Sequence, residues 1–374
     1  MKVIFACAGS GGHVNPAIAI ANILKKREKN CEILFIGTKT GLENDLVKEA
    51  GYPIKHIETG KIIRSFTFKN IKALTSNLKG IQDAKKIIEE FQPDIVIGTG
   101  GYICGPVMLS ARKCHVPYVL HESNAFPGVA VKLLAKKASH VMISFEDARK
   151  RLKNRDNIVY TGTPAKFDEE KLDSLDVTEC RKKLGLQNIH KKIVLVTCGS
   201  QGAAKINETI LEMVSHISNE KVFFVLITGQ KNYETVLKQK EKIEQEKKIC
   251  LDPYLRLEKF VFQMDVMYKA VDMCITRAGA MTITELALAK KPAILIPLPT
   301  AAENHQLYNA RVLEKVNAGK IIEQKDLTIT LLNDTIEEMI QGNCLQEMAN
   351  NAKQVVVKGV EDKIYHCIKN SLKK

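Results

Sequence analysis

Short apolar runs alternate with amphipathic stretches along the first half of the chain. Runs rich in Val, Ile and Phe predict strands at 3–5, 33–36, 94–97 and 117–120. Helical spacing of apolar residues predicts helices over 16–27, 42–50, 106–111 and 129–137. This alternation predicts an α/β fold, in which a parallel sheet is covered by helices.

The same pattern starts again near residue 191. A strand at 192–196 enters Cys198-Gly199-Ser200-Gln201-Gly202, which matches Ala8-Gly9-Ser10-Gly11-Gly12 at an offset of 190 residues. A second echo, at an offset of 178, aligns 94–101 with 272–279. Two echoes in the same order indicate two Rossmann-like domains. We predict domains at 1–161 and 191–345, a linker at 162–190, and C-terminal helices at 346–374 that return to the first domain.

Length and composition agree with this organisation. A chain of 374 residues exceeds what one core usually supports. Its ten cysteines form no Cys-x-x-Cys pair, which favours a reducing, cytoplasmic interior. Glycines and Pro16 interrupt the uncharged run at 3–24, so we interpret it as a strand and loop rather than a membrane span or signal peptide. The net charge of +14 fits nucleic acid, an anionic membrane or an acidic substrate.

Each Gly-Ser-x-Gly loop leads from a strand into a helix, where free N–H groups and the helix dipole favour an anion. Neither loop has the spacing of a nicotinamide or Walker-type site. The segment 277–286 repeats this design, with Gly279 and Ala280 at the helix start. Glu285 follows in the first two turns, where it either binds a ribose diol or complements the helix dipole.

Diphosphate recognition is expected to need no metal. The chain has no Asp-x-Asp pair and no close set of oxygen ligands. Helix N-termini and basic side chains would then neutralise the charge, and Arg277, Lys166 and Lys205 are the candidates.

Six segments in register resemble the MurG glycosyltransferases over nearly the whole chain. These segments are 9–16, 98–102, 121–124, 199–203, 277–285 and 305–310. The resemblance implies a GT-B fold and inverting, metal-independent transfer of GlcNAc from UDP-GlcNAc to undecaprenyl-diphospho-MurNAc-pentapeptide (lipid I), giving lipid II. It implies no cofactor, since UDP-GlcNAc is a substrate. It also implies a peripheral protein at the cytoplasmic face of the cell membrane, with anionic lipids and other cell-wall synthesis proteins as candidate partners.

The resemblance also implies site residues. The donor site would comprise Ser10, Gly11, Gly12, Asn124, Lys166, Ser200, Val261, Arg277, Ala280, Met281, Thr282, Ile283, Thr284, Glu285, Gln306 and Asn309. Val261 would meet the uracil, Glu285 the ribose, and Gln306 with Asn309 the sugar. Gly100, Gly101 and Tyr102 would lie on the acceptor side. Lys166 stands where the family usually has arginine, and tryptophan, common in the family's membrane-facing patch, is absent.

The expected reaction needs a general base for the acceptor hydroxyl and an electrostatic cradle for the diphosphate. His13 is the first candidate base and Glu122 the second. His13 could instead cap its helix or bind the acceptor diphosphate. His121 is expected to be structural.

Three other functions compete with this interpretation. A related GT-B transferase would use diacylglycerol or a small acceptor, and a UDP-GlcNAc 2-epimerase would share the two-domain plan. A nucleic-acid-binding protein is disfavoured, because the chain has no recognised binding module and is only 6% aromatic.

The segment 55–80 concentrates part of the excess charge. Its basic residues oppose one acid, Glu58, and they are Lys55, Lys61, Arg64, Lys69, Lys72 and Lys79. Ile71, Leu74 and Leu78 have helical spacing. This face either packs on the core or, with Phe66 and Phe68 in the preceding loop, contacts the lipid headgroups.

Overall fold

The computed structural model describes residues 1–60, 68–153, 155–199, 202–216 and 220–372, with the backbone alone for 68–72. The chain forms two compact units. The first comprises Met1–Lys166 and Val357–Lys374, and the second Phe167–Val356.

The first unit is built on a seven-stranded parallel sheet in the order β3-β2-β1-β4-β5-β6-β7. Its strands are β1 (Lys2–Cys7), β2 (Glu32–Gly37), β3 (Ile54–His56), β4 (Ile95–Gly100), β5 (Tyr118–Glu122), β6 (His140–Ile143) and β7 (Ile158–Tyr160). Its helices are α1 (Gly11–Arg27), α2 (Glu43–Glu49), α3 (Phe68–Phe91), α4 (Cys104–Lys113), α5 (Val129–Leu134) and α6 (Asp147–Arg151).

The second unit has a six-stranded parallel sheet in the order β10-β9-β8-β11-β12-β13. Its strands are β8 (Lys192–Thr197), β9 (Val222–Ile227), β10 (Leu255–Glu258), β11 (Met273–Thr276), β12 (Ala293–Leu295) and β13 (Gly319–Ile321). Its helices are α7 (Glu169–Asp173), α8 (Val177–Lys183), α9 (Ala204–His216), α10 (Tyr233–Lys247), α11 (Met264–Ala270), α12 (Ala280–Leu288), α13 (His305–Glu314), α14 (Ile329–Ile340) and α15 (Cys344–Ala352).

The strands are continuous apolar runs because helices cover both faces of each sheet. All but the first residue of β1 and of β8 are buried. The first strand of each unit lies beside the strand that carries the second echo, β4 or β11. Chain connections leave these two neighbours in opposite directions, which creates a crevice at their carboxyl ends. The prediction of two parallel sheets built on one plan is confirmed.

The predicted linker at 162–190 is not a separate segment. Residues up to Lys166 belong to the first unit and the rest to the second. Asp168 and Asp176 accept hydrogen bonds from backbone N–H groups in the first turns of α7 and α8. Cys180 of α8 packs with Val266 and Ala270. The charged composition of this segment suggested a linker, but it forms two short capped helices, each with one buried residue.

The C-terminal segment divides at a different residue from the one predicted. Residues up to Val356 belong to the second unit, and the last helix, α16 (Val360–Leu372), packs in the first. Its Ile364 and Ile368 are buried against the core under α1. Tyr365 and Lys369 both donate hydrogen bonds to Glu28, which follows α1.

Candidate functional site

The glycine loop of the first unit lies at the carboxyl edge of its sheet. Cys7 at the end of β1 pairs with Gly100 at the end of β4. The loop after β1, with Ser10, therefore meets the loop after β4, with Gly101 and Tyr102. Ser10 is the N-cap of α1 but makes no side-chain cap hydrogen bond. Gly11 and Gly12 follow as the first helical residues.

His13 lies in the first turn of α1, half-buried above the end of β4. Its Nδ1 is 3.1 Å from the Ala8 carbonyl oxygen and 3.3 Å from Ser10 Oγ. Thr99 at the end of β4 donates a hydrogen bond to the His13 carbonyl at 2.7 Å. The imidazole is thus contacted through Nδ1, and the backbone of His13 is fixed by Thr99, so the ring lies at the crevice where a base or an anion ligand would be needed.

Gly100 and Gly101 make room for His13 and its loop. A Cβ on Gly100 would lie 2.4 Å from His13 Cδ2, and one on Gly101 would lie 2.3 Å from the Ala8 carbonyl oxygen. Both glycines have positive φ, 121° and 86°. Their geometry gives them a part in shaping the loop around His13, alongside the predicted acceptor contact of Tyr102. The Tyr102 ring lies 3.8 Å from where a Gly9 Cβ would be.

Glu122 is the last residue of β5, and its carboxylate accepts hydrogen bonds from the loop that follows. One carboxylate oxygen accepts from the backbone N–H and the side-chain amide of Asn124, and the other accepts from the Gly128 N–H at 2.8 Å. Burial raises the pKa of Glu122, against the lowering effect of these hydrogen bonds. The geometry favours a loop-holding carboxylate over the predicted second base, and it places Asn124 in the same loop. His121 is fully buried, as expected for a structural residue.

The second unit presents the N-terminus of α12 at the corresponding edge. Gly279 is its N-cap and has no side chain to cap the first N–H groups. Met281, Thr282 and Thr284 are half-buried, whereas Ala280 and Ile283 are buried. A ligand would reach Ala280 through its backbone, whereas the Ile283 N–H already donates to the Gly279 carbonyl at 3.0 Å. This geometry suits an anion.

Two amide side chains of α13 hold the loop before α12. Gln306 accepts hydrogen bonds from the N–H groups of Ala278 and Leu298, at 3.2 and 3.0 Å. Asn309 donates to the Ala278 carbonyl at 3.1 Å and is fully buried. The structure therefore gives Asn309 a different place from the predicted sugar contact, because sheet packing turns this face of α13 inward.

Arg277 also serves the unit internally. Its guanidinium donates to the carbonyls of Ile296 and Pro297 and, at 2.6 Å, to the Gln324 side chain. It joins the loops that follow three neighbouring strands, β11, β12 and β13. This arrangement favours a positioning role over the predicted direct contact with the diphosphate. Lys166 and Lys205 are both exposed.

Glu285 is half-buried on α12 and is oriented by a second residue. The Tyr268 hydroxyl, on α11, donates to Glu285 Oε2 at 3.2 Å. Burial raises the pKa of Tyr268 well above its ordinary value, so the phenol stays a donor. Val261 lies half-buried in the loop before α11, and Ser200 falls outside the described residues.

Sequence reasoning missed Glu43, Tyr268 and Gln324. Glu43 is fully buried and accepts a hydrogen bond from the Gly9 N–H, although it lies 34 residues away. No local pattern distinguishes these residues from surface polar groups, because their partners lie far away in the sequence.

Within the described ranges, no three His, Cys, Asp or Glu side chains come together as metal ligands would. None of the described helices combines the length and apolar character needed to cross a bilayer.

Comparisons with known proteins agree along the whole chain. Residues 3–143 match the glycosyltransferase family 28 N-terminal domain, and residues 193–364 match its C-terminal domain. A relative from Acetivibrio thermocellus is 39% identical over 100% of this chain and 99% of its own length. One from Thermoanaerobacter sp. is 40% identical over 99% of this chain and 100% of its own. Both are named UDP-N-acetylglucosamine–N-acetylmuramyl-(pentapeptide) pyrophosphoryl-undecaprenol N-acetylglucosamine transferase.

Solved structures give the same result for the fold. MurG of Acinetobacter baumannii superposes with a TM-score of 0.77 at 28% identity, covering 98% of this chain and 99% of that one. The calicheamicin glycosyltransferase CalG4 reaches a TM-score of 0.71 at 14% identity, over 100% and 98% of the two chains, and shows the fold alone. The predicted fold class, two parallel-sheet α/β domains of the GT-B type, is confirmed.

Proposed function

Because the chain belongs to the MurG group of glycosyltransferase family 28, we propose that it transfers GlcNAc from UDP-GlcNAc to lipid I and forms lipid II. The observation that carries the proposal is the same in both units. Each places a glycine-bearing helix N-terminus at the carboxyl edge of a parallel sheet, where a sugar nucleotide or a diphosphate is bound. The full-length similarity to named relatives supports the specific donor and acceptor.

The first unit binds the acceptor and the second binds the donor. The α12 N-terminus takes the UDP diphosphate, and Glu285 accepts hydrogen bonds from the ribose hydroxyls. His13 acts as general base on the acceptor hydroxyl, so that attack on the anomeric carbon inverts it while UDP leaves. Neither a metal nor a cofactor takes part, since helix N-termini and basic groups neutralise the leaving diphosphate.

The enzyme works at the cytoplasmic face of the membrane, and exposed apolar side chains on two helices of the first unit support this placement. Leu74 and Leu78 of α3 are 56% and 58% exposed, and Leu133 of α5 is 77% exposed. The core side of α3 is formed instead by Ala73, Ala84, Ile87 and Ile88. The predicted apolar face 71, 74, 78 therefore does not pack on the core at the two described side chains, Leu74 and Leu78.

The charges of the segment 55–80 are partly paired. Lys79 donates to Glu58 at 2.7 Å and Lys55 to Glu90 at 2.6 Å. Lys61, Arg64 and Phe66 lie outside the described residues, as do the side chains of Phe68, Lys69 and Lys72. The exposed lysines Lys136 and Lys137 lie three and four residues after Leu133, so apolar and basic groups are exposed within one short segment. Such a surface suits anionic lipid.

Product analysis tests the reaction. The purified protein is given radiolabelled UDP-GlcNAc with a lipid I analogue, with diacylglycerol, or with no acceptor, each with and without excess EDTA. We expect labelled lipid II with the first acceptor alone, and undiminished activity in EDTA. UDP-ManNAc in the third arm would indicate an epimerase, and activity restored by Mg²⁺ would overturn the metal-independent mechanism.

Substitution of the base completes this test. His13→Ala should lower turnover by roughly 10²–10⁴-fold with little change in donor binding, the range for lost general-base catalysis. Glu122→Gln should mainly lower the melting temperature, since it disturbs the loop after β5. Near-normal turnover in His13→Ala would exclude His13 as the base.

A further inference from the structure

One peptide group links two side chains from separate helices of the first unit. The N–H of the peptide between Ala8 and Gly9 donates to Glu43 Oε2 at 3.2 Å. The C=O of that same peptide lies 3.1 Å from His13 Nδ1. Glu43 and His13 therefore bind opposite ends of a single planar, polarisable unit.

This contact determines which imidazole nitrogen carries the proton. A carbonyl oxygen can only accept, so Nδ1 must be the N–H donor in its 3.1 Å contact with Ala8. In the neutral ring the lone pair is then on Nε2. Ser10 Oγ, 3.3 Å from Nδ1, shares the same N–H as a second acceptor. The ring is thus held in the tautomer that a base acting through Nε2 requires.

Glu43 is built into the fold as an anion. It is fully buried at the start of α2 and accepts from the Thr38 N–H at 2.9 Å and the Thr38 hydroxyl at 2.6 Å, besides Gly9. Burial opposes ionisation, but these hydrogen bonds hold the pKa of Glu43 below its ordinary value. Gly41 leaves the space for it, since a Cβ there would lie 2.1 Å from Glu43 Oε1.

We propose that Glu43 is a positioning residue for catalysis, which orients His13 and stabilises its imidazolium form through the Ala8–Gly9 peptide. The inference rests on the proposed function in taking His13 as the base. Hydrogen bonds in a chain polarise one another, so an anion on the N–H makes the carbonyl oxygen a stronger acceptor. A stronger acceptor favours the ring in its cationic state. The arrangement resembles a carboxylate–histidine pair with one peptide inserted.

The step it assists is balanced within the proposed reaction. His13 Nε2 takes the proton of the acceptor hydroxyl as the hydroxyl oxygen forms its bond to the anomeric carbon of GlcNAc. The bond from that carbon to the diphosphate oxygen breaks, and its electron pair leaves with UDP. The positive charge gained by the ring is compensated, through the peptide, by the negative charge of Glu43.

Other titratable groups surround Glu43, the Ala8–Gly9 peptide and His13. Cys7 of β1 and Cys104 of α4 are buried beside them, and Tyr102 lies against Gly9. Besides burial, the charge of Glu122 on β5 raises the pKa of Cys104. Burial raises the pKa of Cys104 to about 12 and that of Cys7 well above its ordinary value. Both thiols therefore stay neutral where the enzyme would work, and Glu43 is a carboxylate that accepts a hydrogen bond from the loop after β1.

The first test observes the tautomer directly. Long-range ¹H–¹⁵N correlation spectra of the full chain, labelled with ¹⁵N-histidine, are assigned with His13→Gln. Above the titration range, we expect His13 to carry its proton on Nδ1. A ring protonated on Nε2 would overturn the proposal, whatever the activity of the enzyme.

The second test measures kinetics with UDP-GlcNAc and a lipid I analogue. Glu43→Gln keeps the size of the side chain and removes its charge. We expect kcat to fall about 10–100-fold, as when the hydrogen-bond partner of a metal-ligating histidine is lost, with little change in the KM for UDP-GlcNAc. The acidic limb of the pH profile should move to lower pH, because the protonated ring has lost its stabilisation.

Two further variants test the charge of Glu43. Glu49→Gln makes the same change at an exposed position of α2 and should leave kcat and the pH profile unchanged. Thr38→Val removes one of the hydrogen bonds that keep Glu43 ionised, so its acidic limb should move in the same direction as in Glu43→Gln. An unmoved limb in a folded Glu43→Gln, or an equal shift in Glu49→Gln, would refute the proposed role of Glu43. Absence of lipid II from the wild-type enzyme would refute the proposed function instead, and leaves the tautomer measurement to decide the inference.

Discussion

At the scale of single residues, the side chains nearest the two helix N-termini are held by partners from other elements. Tyr268 orients Glu285, and Gln306 accepts from two backbone N–H groups around the loop before α12. A polar group that is already oriented loses less entropy when it binds a ligand. These partners therefore contribute to affinity without touching the substrate.

The ribose contact of Glu285 is tested by Glu285→Ala. Loss of charge-assisted hydrogen bonds to the ribose should weaken apparent donor binding by about 1.5–3 kcal/mol, seen as a raised Michaelis constant for UDP-GlcNAc. Tyr268→Phe, which leaves the carboxylate but releases it, should give a smaller change in the same direction. A normal constant in a folded Glu285→Ala protein would contradict the assignment.

His121 predicts how stability depends on pH. Burial, opposed by a contact with the Gly162 carbonyl, lowers its pKa to about 4, below the 6.5 of the free side chain. Between these values the unfolded chain binds a proton that the folded chain does not. The contribution is fully present above pH 6.5 and is lost as the pH falls towards 4, up to about 3 kcal/mol.

Urea unfolding midpoints at several pH values measure this contribution. The wild-type midpoint should fall between pH 7 and pH 4.5 by more than that of His121→Gln. His366→Gln, at an exposed position, provides the control and should behave as wild type. Parallel curves for wild type and His121→Gln would show that this imidazole is not the source.

At the scale of elements, the loops that follow β1 and β4 pack so closely that an added side chain would not fit between them. Gly101 brings its backbone against the Ala8 carbonyl with φ at 86°, a conformation that side chains rarely adopt. Gly105, the second residue of α4, has nothing within 4 Å of its missing Cβ. The two glycines form a matched pair on adjoining segments.

Alanine at each position should therefore act oppositely. Gly101→Ala forces the loop after β1 to move and should lower both the melting temperature and kcat. Gly105→Ala should raise stability by about 0.5–1 kcal/mol, because alanine favours the helix, and leave kcat unchanged. Differential scanning fluorimetry and the lipid II assay measure both effects. Equal behaviour of the two variants would show that the loop is not tightly packed.

At the scale of the whole molecule, the net charge of +14 and the exposed leucines of α3 and α5 both favour binding to an anionic membrane. Each basic residue near an anionic membrane contributes about 1 kcal/mol, which salt screens. Exposed apolar side chains add a contribution that salt does not remove. Both terms are needed by an enzyme whose acceptor is anchored in the bilayer.

Vesicle sedimentation tests membrane binding by these basic and apolar residues. We expect binding to phosphatidylglycerol vesicles, weakened in 0.5 M salt, where the Debye length is about 4 Å. Lys61/Arg64/Lys69→Glu should weaken binding, and Leu74→Ser with Leu78→Ser should weaken what remains in salt. Lys238/Lys242/Lys248→Glu changes the total charge equally, but in the second unit, and is the control. Equal loss in the control would reduce the effect to net charge.

The sequence by itself determined the elements and the family. Apolar runs, glycine turns and their repetition are local features, so they predicted both sheets, the loops that end β1 and β11, and the resemblance that the comparisons confirmed. Element type follows from spacing and burial along a few residues, and the chain carries that information at every position.

The tertiary structure alone decided which side chains hold the site. Glu43 meets Gly9 because β2 lies beside β1, and Arg277 meets Gln324 because β13 lies beside β12. The same packing buries Asn309 and divides the predicted linker between two units. A hydrogen bond between residues tens of positions apart depends on strand order and helix rotation. No local pattern encodes either of these.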